Sequence, residues 1–172
     1  RSARLLDSMG SVDIVHYSTP EEIDQNLDDA FHLYSNRQSG LRSIWSFNGE
    51  IGQTFYRAVA IAFAQRGMMD LTFLKVDDVP VAFVYGLRHE GIYYYYKVGV
   101  TSSVDILRFS PGSILLEHLL EQAFTDGLKR FDFMLGSEPY KAIWASDSKS
   151  VCTLVLAKRG FRSAMAWRLY AT

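Results

Sequence analysis

The sequence predicts a mixed α/β fold, and three observations carry the prediction. Short apolar runs stand at Val12–Tyr17, which alternates as a half-buried strand does, and at 71–76, 79–87 and Ile92–Val100, which are separated by turn residues. Apolar residues recur at helical spacing at Ile23, Leu27, Phe31 and Tyr34, and again along 111–126. The two kinds of segment interleave as strand, helix, helix, three strands, helix, strand, helix, two strands, so helices must pack against one mixed sheet.

Taken in order, Val12–Tyr17 is the first strand. Thr19 then stands as an N-cap before Pro20 at the first helical position. Residues 40–49 form a loop. Residues 50–65 place Phe55, Val59, Ala62 and Phe63 on one helix face, and Gly67 is the natural stop. Strands 71–76 and 79–87 turn at Asp77-Asp78, and the next turn, at Glu90-Gly91, leads into Ile92–Val100. The four tyrosines 93–96 fit a strand with one aromatic face on the core and one on a cleft. A polar linker, 101–105, precedes a helix over 111–126 with Leu116, Leu119, Leu120, Ala123 and Phe124 inward and Gly127 ending it. A strand at 131–135, a short helix at 140–144 and strands at 151–157 and 166–170 complete the order.

Composition excludes several classes of function. Of 172 residues 48% are hydrophobic and 22% charged, enough for a core and too few charges for wholesale disorder. Eighteen basic against nineteen acidic residues leave a net charge of -1 and no electrostatic case for a nucleic-acid or membrane surface. No apolar run nears the roughly 20 residues of a membrane span, and the N-terminal stretch lacks the apolar core of a signal peptide. Cys152 is the only cysteine, so no internal disulfide forms; its apolar run, 151–157, predicts a buried structural thiol. A cytoplasmic location is the expectation. The chain starts at Arg1 rather than methionine, which leaves room for a longer parent chain. His16, His32, His89 and His118 show no metal-ligand spacing and read as surface or packing residues. Hydrolase chemistry lacks a nucleophile elbow.

Two segments carry candidate chemistry. Ser110-Pro111-Gly112 opens a helix, with serine placed to cap and proline lacking an amide to leave unsatisfied. The amides of Gly112, Ser113 and Ile114 would face outward at the positive end of the dipole, a ready phosphate site, with Arg108 beside them; the plainer alternative is a well-made helix start. Asp132 sits alone in the apolar run 131–135, so it must be hydrogen-bonded, paired or turned to a wet cleft. Gly136-Ser137-Glu138-Pro139 leads from there to Tyr140-Lys141. Buried polar groups at strand ends are common ligand positions, whereas the structural alternative has Asp132 capping the turn and Lys141 as its ion pair.

Together these residues resemble the GNAT acyltransferase superfamily, in its CelD-like branch associated with polysaccharide biosynthesis. The resemblance rests on Ser110-Pro111-Gly112 with Leu115-Leu116, Gly127, Phe131-Asp132-Phe133, Gly136, Tyr140-Lys141 and Trp144. It implies a mostly antiparallel twisted sheet with flanking helices, one domain over 1–172, and acetyl-CoA or another acyl-CoA as cofactor. The pyrophosphate would lie at Gly112, Ser113 and Ile114 near Arg108, and the pantetheine arm along Val98 to Val100. Tyr140 would be the acid that protonates the leaving thiolate, with Asp132 or Glu138 as base or ammonium holder. Tyr96 and Lys141 would contact the acceptor, a small molecule or amino sugar. A second GNAT-like domain or a homodimer partner also fits the family. The commoner loop has Arg or Gln, two residues, Gly, one residue, then Gly or Ala; here Pro111 and Ser113 occupy the two small-residue positions, which removes an amide donor. Two rivals share the evidence: a FemAB-like transferase using aminoacyl-tRNA, which should show a basic groove, and a non-catalytic module binding through the aromatic strand.

Overall fold

A computed structural model describes residues 10–35, 46–47 and 49–152, in a unit ending at Gly136 and a second beginning at Ser137. In the first, β1 (Val12–Tyr17), β2 (Met69–Val76), β3 (Val79–His89), β4 (Ile92–Val100) and β5 (Arg130–Asp132) form one sheet in that spatial order. Neighbours are antiparallel except β4 and β5, which run parallel and are joined through a helix, as parallel strands must be. The tight hairpins come from left-handed backbone at Asp77 and Asp78 and at Glu90 and Gly91. The mostly antiparallel mixed sheet is the one expected.

Helix α1 (Pro20–Ser35) begins in a capping box. Thr19 Oγ1 accepts the Glu22 amide at 3.3 Å, while the Glu22 carboxylate accepts from the Thr19 amide at 3.2 Å. Its Ile23, Leu27 and Phe31 are buried as predicted. Helix α2 (Glu50–Ala64) ends where Gly67 takes a positive φ and the Met68 amide reaches back to the Phe63 carbonyl. Its inward stripe differs in part from the expected one, with Phe63 packed against the core as expected. Gly52, Ala60 and Ala64 are buried and Tyr56 packs beside them, whereas Phe55 is 59% exposed. Small residues let the helix lie close to the sheet, so the larger ring is turned outward.

These helices cover one face of the sheet over Leu71, Phe73, Phe83 and Tyr85. Strand alternation sends Asp70, Thr72 and Arg88 to the other face, where α4 (Pro111–Thr125) lies. Its Ile114, Leu115, Leu116, Leu119 and Ala123 are buried, but Phe124 is 88% exposed because it falls one position beyond the stripe. The expected linker 101–105 instead leads into a one-turn helix, α3 (Val104–Leu107), and β5 is only three residues rather than five.

The second unit holds α5 (Pro139–Trp144). Val151 and Cys152 are exposed and in no regular element, against the expected buried thiol, because they follow a polar run rather than entering a core. The remainder of strand 151–157, the strand 166–170 and most of the loop 40–49 lie outside the described residues.

Candidate active site

The sheet opens between β4 and β5. Only Ile92, Tyr93 and Tyr94 are in register with Arg130, Phe131 and Asp132; from Tyr95 to Val100 β4 has no β5 residue opposite it. The parting starts at Asp132, whose carboxylate accepts the Met134 amide at 2.8 Å. Met134 then takes a φ of 60°, which turns the chain out of the strand direction. Asp132 therefore caps the turn, the structural alternative for this residue, and its other oxygen lies 3.6 Å from Arg130.

Opposite the opening, β4 carries a bulge. Tyr85 pairs with Lys97 and Gly86 with Tyr95, so Tyr96 is the extra residue. The bulge brings Tyr96 and Lys97 to the same face, that of α1 and α2. Tyr96 shares a 3.3 Å hydroxyl hydrogen bond with Tyr56, and the Lys97 ammonium lies 4.7 Å from the Tyr96 ring centre and 5.6 Å from that of Tyr56. Burial, then the bond to Tyr96, pushes the Tyr56 phenol well above the usual range, and burial does the same to Tyr85, so both stay neutral. Tyr93 and Tyr95 face the other way and are buried, Tyr93 stacking on Phe131.

On that opposite face Val98 and Val100 run toward the start of α4. A Cβ added at Gly112 would come within 3.1 Å of the Val100 side chain, so glycine lets the helix start against the strand end. The Gly112 amide donates to no described residue, while the Ser113 and Ile114 amides both donate to the Ser110 carbonyl, at 2.9 and 3.2 Å. One of the three expected amides is thus open. Ser110 is the N-cap but holds left-handed backbone (φ 55°, ψ 57°) and makes no side-chain cap bond, since caps bond from extended backbone. Arg108 is exposed, its guanidinium 4.7 Å from the Phe109 ring centre. An acyl-CoA fits this start on its own terms: an open amide, a glycine close to the strand and an exposed guanidinium.

In the second unit Tyr140 and Lys141 occupy the first turns of α5 behind Glu138. Lys141 pairs with Glu138 at 2.8 Å.

Sequence reasoning missed a polar cluster beneath α4. Asp70, 4% exposed, accepts from Arg88 at 2.9 Å, from Thr72 at 2.8 Å and from His16 Nδ1 at 3.1 Å. Burial alone would raise its carboxyl; the His16 bond and the Arg88 charge overcome this and hold it below the usual range. Because Asp70 only accepts, His16 carries a proton on Nδ1, and its Nε2 shares a 3.3 Å hydrogen bond with His118 Nε2. Arg88 continues to Asp126 at 2.6 Å. The only signal for this was a single acid, Asp70, at the edge of an apolar run. Among the described residues no group of three or more His, Cys, Asp or Glu could hold a metal, and no helix is long and apolar enough to cross a membrane.

The fold is thus an open α/β sheet whose fourth and fifth strands part beside a glycine-bearing helix start. The family model described as acetyltransferase (GNAT) domain matches residues 1–142, and the chain belongs to that family. It is an acetyltransferase domain. No curated protein matches significantly. Among solved structures, AAC(6')-Iy in complex with the bisubstrate analogue CoA-S-monomethyl-acetylneamine is similar at 11% identity and TM-score 0.56, over 88% of this chain and all of that one (100%). Ribosomal-protein-alanine N-acetyltransferase from Brucella melitensis biovar Abortus 2308 is similar at 16% identity and TM-score 0.55, over 86% of this chain and 100% of its own. The chain spans 63% of the length of the Escherichia coli ribosomal-protein-S18-alanine N-acetyltransferase, which 69% of this chain covers at 19% identity and TM-score 0.49. At such identities the likeness to AAC(6')-Iy and to the Brucella enzyme is one of fold.

Proposed function

We propose that this domain transfers an acetyl group from acetyl-CoA to an amine of a small molecule or amino sugar. The observation that carries the reading is the open Gly112 amide set against Val100 at the mouth of the β4–β5 parting. Bound acetyl-CoA supplies an activated thioester. The open backbone edge of Val98 to Val100 suits the amides of a pantetheine arm, which would hydrogen-bond there as an added strand would. The Gly112 amide and Arg108 meet the diphosphate; Ser113 and Ile114, whose amides are already engaged, contribute the helix dipole. Asp132 or Glu138 serves as the base that deprotonates the acceptor or holds its ammonium, and the Tyr140 hydroxyl protonates the leaving thiolate. Tyr96 and Lys141 contact the acceptor.

Residues 1–172 act in this reading as one domain, in the cytoplasm where acyl-CoA is made, alone or beside a second domain of its kind. The Ser110-Pro111-Gly112 entry supports the CelD-like branch. The test is thiol release from acetyl-CoA against a panel of amino sugars, polyamines and amino acids. Amine-dependent release is expected, and tight binding of acetyl-CoA with no release for any amine would remove the transferase reading.

A further inference from the structure

Among the described residues of the first unit, the half-buried cationic side chains are matched with one exception. Arg57 is bound by Asp24 and Asp28, Arg88 by Asp70 and Asp126, and Lys75 donates to the Tyr17 hydroxyl. Lys97 is half-buried and has no carboxylate or hydrogen-bond partner among the described residues; its contacts are the faces of Tyr56 and Tyr96. Without the bulge, alternation would turn Lys97 toward the α4 side, away from Tyr96. The bulge instead places an ammonium and two phenols side by side at the opening, on the face opposite Val98, Val100 and Gly112. A half-buried ammonium facing rings and no counter-ion is a site that favours an anion and disfavours a second cation.

We propose that Lys97 is the counter-ion for an anionic group on the acyl acceptor, so that the acceptor is an amine bearing a carboxylate or phosphate and not a polycation. This rests on the acetyl-transfer reading and deepens it. Donor and acceptor then use opposite faces of one strand: Val98 and Val100 face the α4 side with Gly112, while Tyr96 and Lys97 face α1 and α2. The Tyr56–Tyr96 hydroxyl pair supplies a donor and an acceptor for the acceptor's polar groups beside its anion. Cation–π contacts to two rings fix where the ammonium sits, which gives the preference a geometry and not only a sign.

The experiment uses matched probes that differ in one anionic group. Glucosamine and glucosamine 6-phosphate, glycinamide and glycine, and the polycation kanamycin are titrated into the CoA-saturated protein, and KM is measured for each with acetyl-CoA. The anionic member of at least one pair should bind roughly ten-fold tighter, a margin of one charge-assisted contact. Lys97→Met should abolish that margin and Lys97→Arg should keep most of it, both retaining the wild-type affinity for acetyl-CoA. Equal binding within both pairs, tighter binding of kanamycin, or no binding of any probe overturns the proposal. So does a Lys97→Met variant that loses acetyl-CoA and leaves the pair ratio intact, because Lys97 would then serve the donor. Failure of the wild-type protein to bind CoA at all is a different result, and it sinks the transferase reading itself.

Discussion

Replacing Asp70 by asparagine tests whether the cluster beneath α4 is a working part of the fold. Asparagine keeps the volume but removes the charge that faces Arg88 Nε and Nη2, both at 2.9 Å, and puts an NH2 donor in place of one of the two acceptor oxygens that serve Arg88, His16 and Thr72. Breaking a buried ion pair by removing one partner costs about 3–5 kcal/mol. Arg88 keeps Asp126, and its side chain is 29% exposed, so water recovers part of that. We place the loss at roughly 2–4 kcal/mol, within the range reserved for breaking buried networks. For a chain of this length each kcal/mol moves the thermal midpoint by about 2–4 °C, giving a fall of roughly 4–16 °C. Urea unfolding at neutral pH, followed by circular dichroism, measures the loss directly. An Asp70→Asn, Arg88→Met double variant should lose less than the sum of the two singles. A loss below about 0.5 kcal/mol, typical of a surface site, would refute the reasoning.

Three other perturbations follow from the same geometry. Burial and then the neighbouring His16 hold the His118 pKa below its usual value, so the unfolded chain binds more protons than the folded one in that window. Stability should be complete above about pH 6.5, fall as the pH drops through it, and fall again in the acid range where Asp70 protonates; His118→Gln should remove the first stage, and a flat urea midpoint from pH 7 to 5 in the wild type would contradict this. A Cβ at Gly86 would overlap the Tyr93 hydroxyl, which is buried with no well-formed hydrogen bond among the described residues, so Gly86→Ala should cost about 1–3 kcal/mol and Tyr93→Phe should be neutral or stabilising by urea unfolding. Tyr140→Phe should lower kcat by about 100-fold with little change in the KM for acetyl-CoA, as expected for loss of a general acid, and full turnover would exclude that role.

The strands and α1 were legible because their signals are local. The spacing of Ile23, Leu27 and Phe31 and the Thr19-to-Glu22 box need no distant partner. The inward face of α2 was misread at Phe55 but not at Phe63, because residue size was taken for burial, whereas Gly52 and Ala60 are buried there and Phe55 is exposed. β5 was read as longer than it is, since nothing in the run 131–135 announces that Asp132 will bind the Met134 amide and end the strand. His16 and His118 are 102 positions apart and meet only because β1 and α4 share one face of the sheet, a fact of topology. The helix start at Gly112 was visible from its residues; which amide stays open depended on the left-handed turn at Ser110, which a non-glycine residue rarely adopts.

The central claim is that the amide end of α4 holds the diphosphate of acetyl-CoA. Calorimetric titration of acetyl-CoA into the wild-type protein and into Gly112→Val, whose side chain would press on Val100 and shield the open amide, tests it most directly. The account predicts binding near micromolar for the wild type and a loss of at least about 30-fold in the variant, with the urea midpoint changed far less. Equal affinity in the two proteins, or no heat from the wild type, would contradict it.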